Sequence, residues 1–136
     1  MKKSLLSFAV VLLFLAPTLL AAQEKKSEGL KVKVAILGKG VENKKIVDTT
    51  DTFTVNEKAY LWMRISGGPA DSITVTWKSG DQTYPSRLNV GANLWRTWSF
   101  KTLYTAGDWT VSVTDAAGKI LKEVSFKVVE APKPKQ

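Results

Sequence analysis

The side chains able to carry acid–base chemistry in this chain are its carboxylates, for it holds 12 Asp and Glu but neither histidine nor cysteine. A Ser–His–acid triad, a Cys–His pair and the usual zinc sites each need one of the missing types. Two acids facing each other across a cleft at about 5 to 9 Å would suffice for glycoside hydrolysis. Asp48 with Asp51, Asp71 with Asp81, and Asp108 with Asp115 are the pairs to consider, and each lies beside a turn. Turns favour Asp because its carboxylate bonds nearby backbone N–H groups, so turn-making is the stronger reading of all three. A small carboxylate-dependent hydrolase acting on an envelope polymer stands as the alternative to a protein that is no enzyme. Asp48 and Asp51 lack the regular ligand spacing of a calcium loop. Gly38 and Gly40 are a fragment of a phosphate loop in the wrong strand-to-helix context. No metal and no cofactor is expected.

Recognition by surface contact has better material. Tyr60, Trp62 and Arg64 alternate out of phase with Leu61, Met63 and Ile65. If the aliphatic row points inward, the other forms an aromatic, basic outer patch. Trp95 and Tyr84 are secondary members of such a patch. Between residues 94 and 102, alternation sends Leu94, Arg96, Trp98 and Phe100 to one face and Trp95, Thr97, Ser99 and Lys101 to the other. The first set is the more apolar and is read as inward, which places Arg96 among apolar side chains. A guanidinium there needs a partner, because a lone buried charge costs several kcal/mol (about). Glu42 is the expected partner in a two-point ion pair; the functional alternative has Arg96 reading a carboxylate or phosphate on a ligand. Trp77, Trp98 and Trp109 share their runs with Val, Ile and Phe and are read as core rather than as sugar-stacking platforms. The expected binding residues are therefore Tyr60, Trp62, Arg64, Trp95 and Arg96.

The elements that would position them are strands. Leu30, Val32, Val34 and Ile36 alternate with polar or small residues up to Gly38, and Leu61, Met63 and Ile65 form the next stripe, closed by Gly67, Gly68 and Pro69. Ile73, Val75 and Trp77 follow, and Ser79, Gly80 and Asp81 predict a hairpin turn. The returning strand contains Pro85, which has no N–H to donate, so it belongs at a sheet edge. Further runs start at Leu94 and Trp109; then Gly118, suited to positive φ, closes a four-residue loop before Ile120, Val124, Phe126 and Val128. About seven strands result, with residues 40–57 the least defined and a weak strand near Phe53 and Val55. One-sided stripes on short strands bury themselves most simply in two packed sheets, an antiparallel immunoglobulin-like β-sandwich.

At the N-terminus Lys2 and Lys3 precede an apolar run over residues 5–15, Pro17, and a stretch ending Ala21 and Ala22. This is the layout of a secretory signal peptide, residues 1–22, with an uncleaved membrane anchor as the competing reading. A polar linker, 23–29, leads into the domain, 30–129, and Pro132 and Pro134 between lysines mark residues 130–136 as an extended tail. Without cysteine, no disulfide and no lipid attachment to cysteine can help hold the protein, so a hydrophobic core must carry stability. Loss of Lys2 and Lys3 leaves 18 basic against 12 acidic residues, a balance of +6. That excess favours anionic partners, an envelope polymer or a protein, while export argues against nucleic acid. The expected location is the periplasm or outside the cell, with membrane contact only through an uncleaved signal.

Several segments carry a family likeness. Ala35-Ile36-Leu37 followed by Gly40-Val41-Glu42-Asn43, Leu88-Asn89-Val90-Gly91, Leu94-Trp95-Arg96-Thr97-Trp98-Ser99 and Gly107-Asp108-Trp109-Thr110-Val111-Ser112-Val113 resemble the bacterial DUF2914 family. The closing turn and strand, with Gly118, Lys119, Leu121, Phe126 and Val128, fit the same pattern. The family often places a histidine where this chain has Val75, so any role of that histidine does not transfer. The resemblance spans nearly the whole chain after the signal; it implies an envelope-associated β domain and supplies no activity.

Overall fold

Alternating β-branched and aromatic residues do organise the chain. The computed structural model describes residues 29–132 and contains nine strands: β1 (Lys31–Glu42), β2 (Lys45–Thr49), β3 (Thr52–Thr54), β4 (Lys58–Ser66), β5 (Ala70–Ser79), β6 (Gln82–Val90), β7 (Leu94–Thr102), β8 (Gly107–Thr114) and β9 (Ile120–Val129). No helix occurs among the described residues. The expected signal peptide, most of the linker and residues 133–136 lie outside them. One sheet has the order β2-β1-β4-β7 and is antiparallel throughout. The other has the order β3-β9-β8-β5-β6, antiparallel except for the parallel pair β3 and β9. The two strands beyond the expected seven, β2 and β3, come from residues 40–57, where short polar runs give a weak pattern. β1 begins beside Ser66 and β9 ends beside Thr54, so the described chain enters and leaves at opposite ends of the stack.

The two sheets share one core. Leu61, Met63 and Ile65 from β4 are fully buried, as are Val75 from β5 and Val111 and Val113 from β8. Aromatic side chains fill the middle: Phe126 meets Phe53 and Trp77 edge-on at 5.5 and 5.8 Å between ring centres, and stacks on Trp109 at 6.0 Å. The indole N–H of buried Trp77 donates to Ser99 Oγ at 3.2 Å, and that of Trp109 to the Thr105 carbonyl at 2.9 Å, so neither polar tip is left bare.

Turn chemistry follows the sequence at three places. Gly80 turns β5 into β6 with φ +58°, and β6, which holds Pro85, is an edge strand. Gly118 adopts φ +90° in a loop that Asp115 organises by accepting the Ala117 and Lys119 N–H groups. Asp115 is thereby occupied as a turn former.

The connection from β3 to β4 is tied by Glu57, whose Oε1 accepts the Thr54 N–H at 2.7 Å and whose Oε2 lies 3.2 Å from Lys39 Nζ. The Thr54 N–H first, and the Lys39 ammonium after it, hold this carboxyl below its ordinary value of 4.5, against the opposing effect of partial burial. A depressed folded-state value gives stability that is present above the unfolded value and lost as pH falls through the folded one. Melting temperature is therefore expected to fall with acidification below about 4.5, and more steeply in wild type than in Glu57→Gln. Thermal melts of both proteins across that range check it, and parallel curves would remove Glu57 from the account.

Candidate functional site

Register transmits the facing of one strand to its neighbours. β4 points Leu61, Met63 and Ile65 inward, and their partners across the ladder on β7 are Ser99, Thr97 and Trp95. Those residues must face the core too. The sequence-based facing of β7 is therefore inverted: Leu94 and Phe100 are 70% and 56% exposed, while Ser99 is buried and Trp95 packs against the core. Trp98, expected inside, stands on the outer face opposite Trp62. A second inversion arises in β1, where a bulge between Val32 and Val34 shifts the phase by one residue. Val32 faces the core opposite Ile65, but beyond the bulge Val34 lies opposite Arg64 and Ile36 opposite Trp62, both on the outer face.

The result is a patch on the outer face of the four-stranded sheet. Tyr60, Trp62 and Arg64 on β4 sit beside Phe100, Trp98 and Arg96 on β7. Trp62 lies nearly flush, 9% exposed, and its indole N–H donates to the Lys44 carbonyl at 2.9 Å, which pins the β1–β2 hairpin beside the patch. That hairpin turns through Asn43 and Lys44, both at positive φ (51° and 64°), the pattern of a type I′ turn. Its strand β2 brings Lys45 and Ile46 against Ile36, Trp62, Arg64 and Arg96 around a groove of about 400 Å³. Tyr60 and Phe100 adjoin it with ring centres 5.5 Å apart, and Lys58 Nζ lies 4.8 Å from the Phe100 ring centre.

Four of the five sequence-predicted residues, Tyr60, Trp62, Arg64 and Arg96, thus share one face; Trp95 lies on the other. Arg96 is exposed, so the burial that called for a partner does not exist. The expected pair with Glu42 does not form: Glu42 lies opposite Lys45 across the β1–β2 hairpin and makes no salt bridge with Arg96. The salt bridge present among the described residues is Lys39 with Glu57. Arg64 and Arg96 consequently stand directly opposite each other with no carboxylate between them, an arrangement that disfavours the pair until an anion arrives. Ile36, Lys45, Ile46 and Trp98 were not legible as site residues, because their facing depends on the bulge and on strand register.

Two carboxylates also share a groove, in a combination that sequence order hides. Asp51 and Asp108 line a second groove of about 410 Å³. Thr52 and Asp108 both lie opposite Lys127, which lines the same groove, and both acids are exposed. No cluster of three or more metal-binding side chains occurs among the described residues.

Residues 70–128 match the family described as "Protein of unknown function (DUF2914)". The match begins with β5 and ends inside β9; the family-like segment around Ala35 to Asn43 falls outside it. No curated protein matches the chain. Among solved structures, it is similar to the Pseudomonas fluorescens alkylpurine DNA glycosylase AlkC bound to DNA containing an abasic site analog, at 15% identity and a TM-score of 0.47. That match covers 74% of this chain and 30% of the glycosylase, so this chain spans less than a third of that protein's length. It is also similar to a CARDB domain from Pyrococcus furiosus in complex with di-metal ions, at 16% identity and a TM-score of 0.37, covering 78% of this chain and 97% of that one. The match over residues 70–128, which takes in Trp77, Trp95, Trp98 and Trp109 on strands of both sheets, supports the likeness to the DUF2914 family of unknown function.

Proposed function

We propose that this protein is an exported, non-catalytic module of immunoglobulin-like sandwich type, working by surface contact in the periplasm or outside the cell. Its contact surface is the outer face of the four-stranded sheet, and its partner is an anionic component of the envelope. One observation carries this reading: Arg64 and Arg96 face each other across β4 and β7 beside Trp62, with no acid to neutralise them. Guanidinium pairs bind carboxylate or phosphate through two parallel N–H bonds, and the Trp62 and Ile36 floor accommodates the apolar part of a ligand. The balance of +6 left without Lys2 and Lys3 draws the same class of partner over longer range. A hydrolase using Asp51 and Asp108 has less support, given the lysine that lines the same groove.

Cosedimentation with an isolated cell-envelope fraction tests the face. Wild type is expected in the pellet at low salt and increasingly in the supernatant as salt rises. Replacing Arg64 and Arg96 together by Ser is expected to weaken retention roughly tenfold or more, since each charge-assisted bond contributes about 1.5–3 kcal/mol. Equal retention by a folded double variant would end this reading.

A further inference from the structure

Each sheet in the fold has two edges, and three of the four are blunted. β2 has five residues and places Asp48 at φ +53°, β3 has three residues, and β6 carries Pro85 near its middle. These are the devices by which sheets avoid pairing with other chains. β7 lacks all three, and its only charges are Arg96 on the outer row and Lys101 at one end of the inner row. Its nine residues, Leu94–Thr102, contain no Pro and no Gly and stay in unbroken register with β4 over nine pairs. Among the described residues nothing pairs with its other side, and it presents exposed Leu94 and Phe100 with Arg96 between them. At one end, Lys101 reaches over the Tyr84 ring at 4.0 Å and bridges the edges of the two sheets. An arriving strand there meets a closed core and can only continue the sheet.

We infer that β7 accepts an extended acidic peptide segment of a partner protein as a fifth strand of its sheet. The inference rests on the reading of the Arg64 and Arg96 face given above and adds the form of the partner. Backbone N–H and C=O groups of the added strand satisfy the open ladder, and its outward side chains, alternating with period two, run beside Leu94, Arg96, Trp98 and Phe100. Acidic residues in that row answer Arg96 and Arg64, and apolar ones cover Leu94 and Phe100. A second copy of this chain fits less well, because edge pairing would bring further arginines to a face that already lacks acids, on a chain that keeps a balance of +6 without Lys2 and Lys3. An acidic glycan answers the charge but offers no row of amides to the edge.

The experiment uses an array of nine-residue peptides on a threonine background, with acidic, apolar or basic residues permuted at alternate positions, and the exported protein as analyte. Peptides with acids and apolar residues in one alternating row are expected to be retained, and Arg96→Glu is expected to switch preference toward basic ones. The strongest peptide is then remade with N-methyl groups on alternate amides, in both phases. One phase removes ladder bonds and is expected to lower affinity roughly tenfold; the other faces solvent and is expected to change it by less than about twofold. Retention that depends on Arg64 and Arg96 but ignores both methylation phases would overturn strand addition and leave the charged face standing. Retention indifferent to the arginines would overturn both, no retained peptide would overturn strand addition alone, and a dimer in sedimentation that excludes the peptides would give the edge to a second copy.

Discussion

Replacing Phe126 with Ala is expected to remove about 3–5 kcal/mol of stability, a large part of what an ordinary domain has. Phe126 is buried on β9 and is the one ring in contact with Phe53, Trp77 and Trp109 together, so its removal opens a cavity shared by strands of the five-stranded sheet. Phe→Ala changes in cores cost about 3–5 kcal/mol, against a total stability of about 5–15 kcal/mol for ordinary domains. The chain has no cysteine, so no disulfide limits the unfolded state. Urea unfolding followed by tryptophan fluorescence measures the loss. Phe126→Leu keeps most of the volume and is expected to cost less than half as much; equal losses for the two would show that the cavity is not the cause.

Gly38→Val is expected to cost about 3 kcal/mol, at the upper end for overpacking, and to act on the groove without touching an arginine. A Cβ at Gly38 would come within 2.6 Å of the Val47 carbonyl oxygen and 2.7 Å of Ile46 Cγ1. The oxygen belongs to the backbone of a paired strand, so β2 must separate from β1 to make room. Lys45 and Ile46 move with it and the groove loses one wall. Envelope retention should therefore fall alongside melting temperature, and the amides of β2 should exchange faster than those of β5. Gly40→Ala is the control: its Cβ would approach only the Val47 Cγ2 methyl at 3.2 Å, and a small effect is expected. A Gly38→Val protein with native melting and slow β2 exchange would contradict the close packing of these two strands.

The rows that sequence periodicity identified are those where one face is plainly apolar and the other plainly polar. Leu61, Met63 and Ile65 against Tyr60 and Arg64 are of this kind, as are Val111 and Val113, and their burial follows. Pro85 at an edge and Gly118 at positive φ were legible because each acts through its own backbone. β7 was not, because its more apolar row, with Leu94, Trp98 and Phe100, is the one turned outward, and the choice of face belongs to β4. Ser99 goes inside with the register and meets the Trp77 N–H there, which no local pattern reveals. In β1 the bulge after Val32 turns Ile36 outward, and nothing in the composition of that run marks an extra residue. Of the site, Tyr60, Trp62 and Arg64 came from phase alone. Arg96 belongs to it as well, but on an exposed row rather than as the buried half of an ion pair with Glu42.

The entry of β1 beside Ser66 and the exit of β9 beside Thr54 give the domain the mechanics of a strut. The nine-residue length of β4 sets the separation of those two points at about 30 Å. Tension applied through the flanking segments would run lengthwise, loading many ladder bonds at once in shear instead of peeling them singly. A contact made on the flank of such a strut keeps its orientation while both ends are pulled.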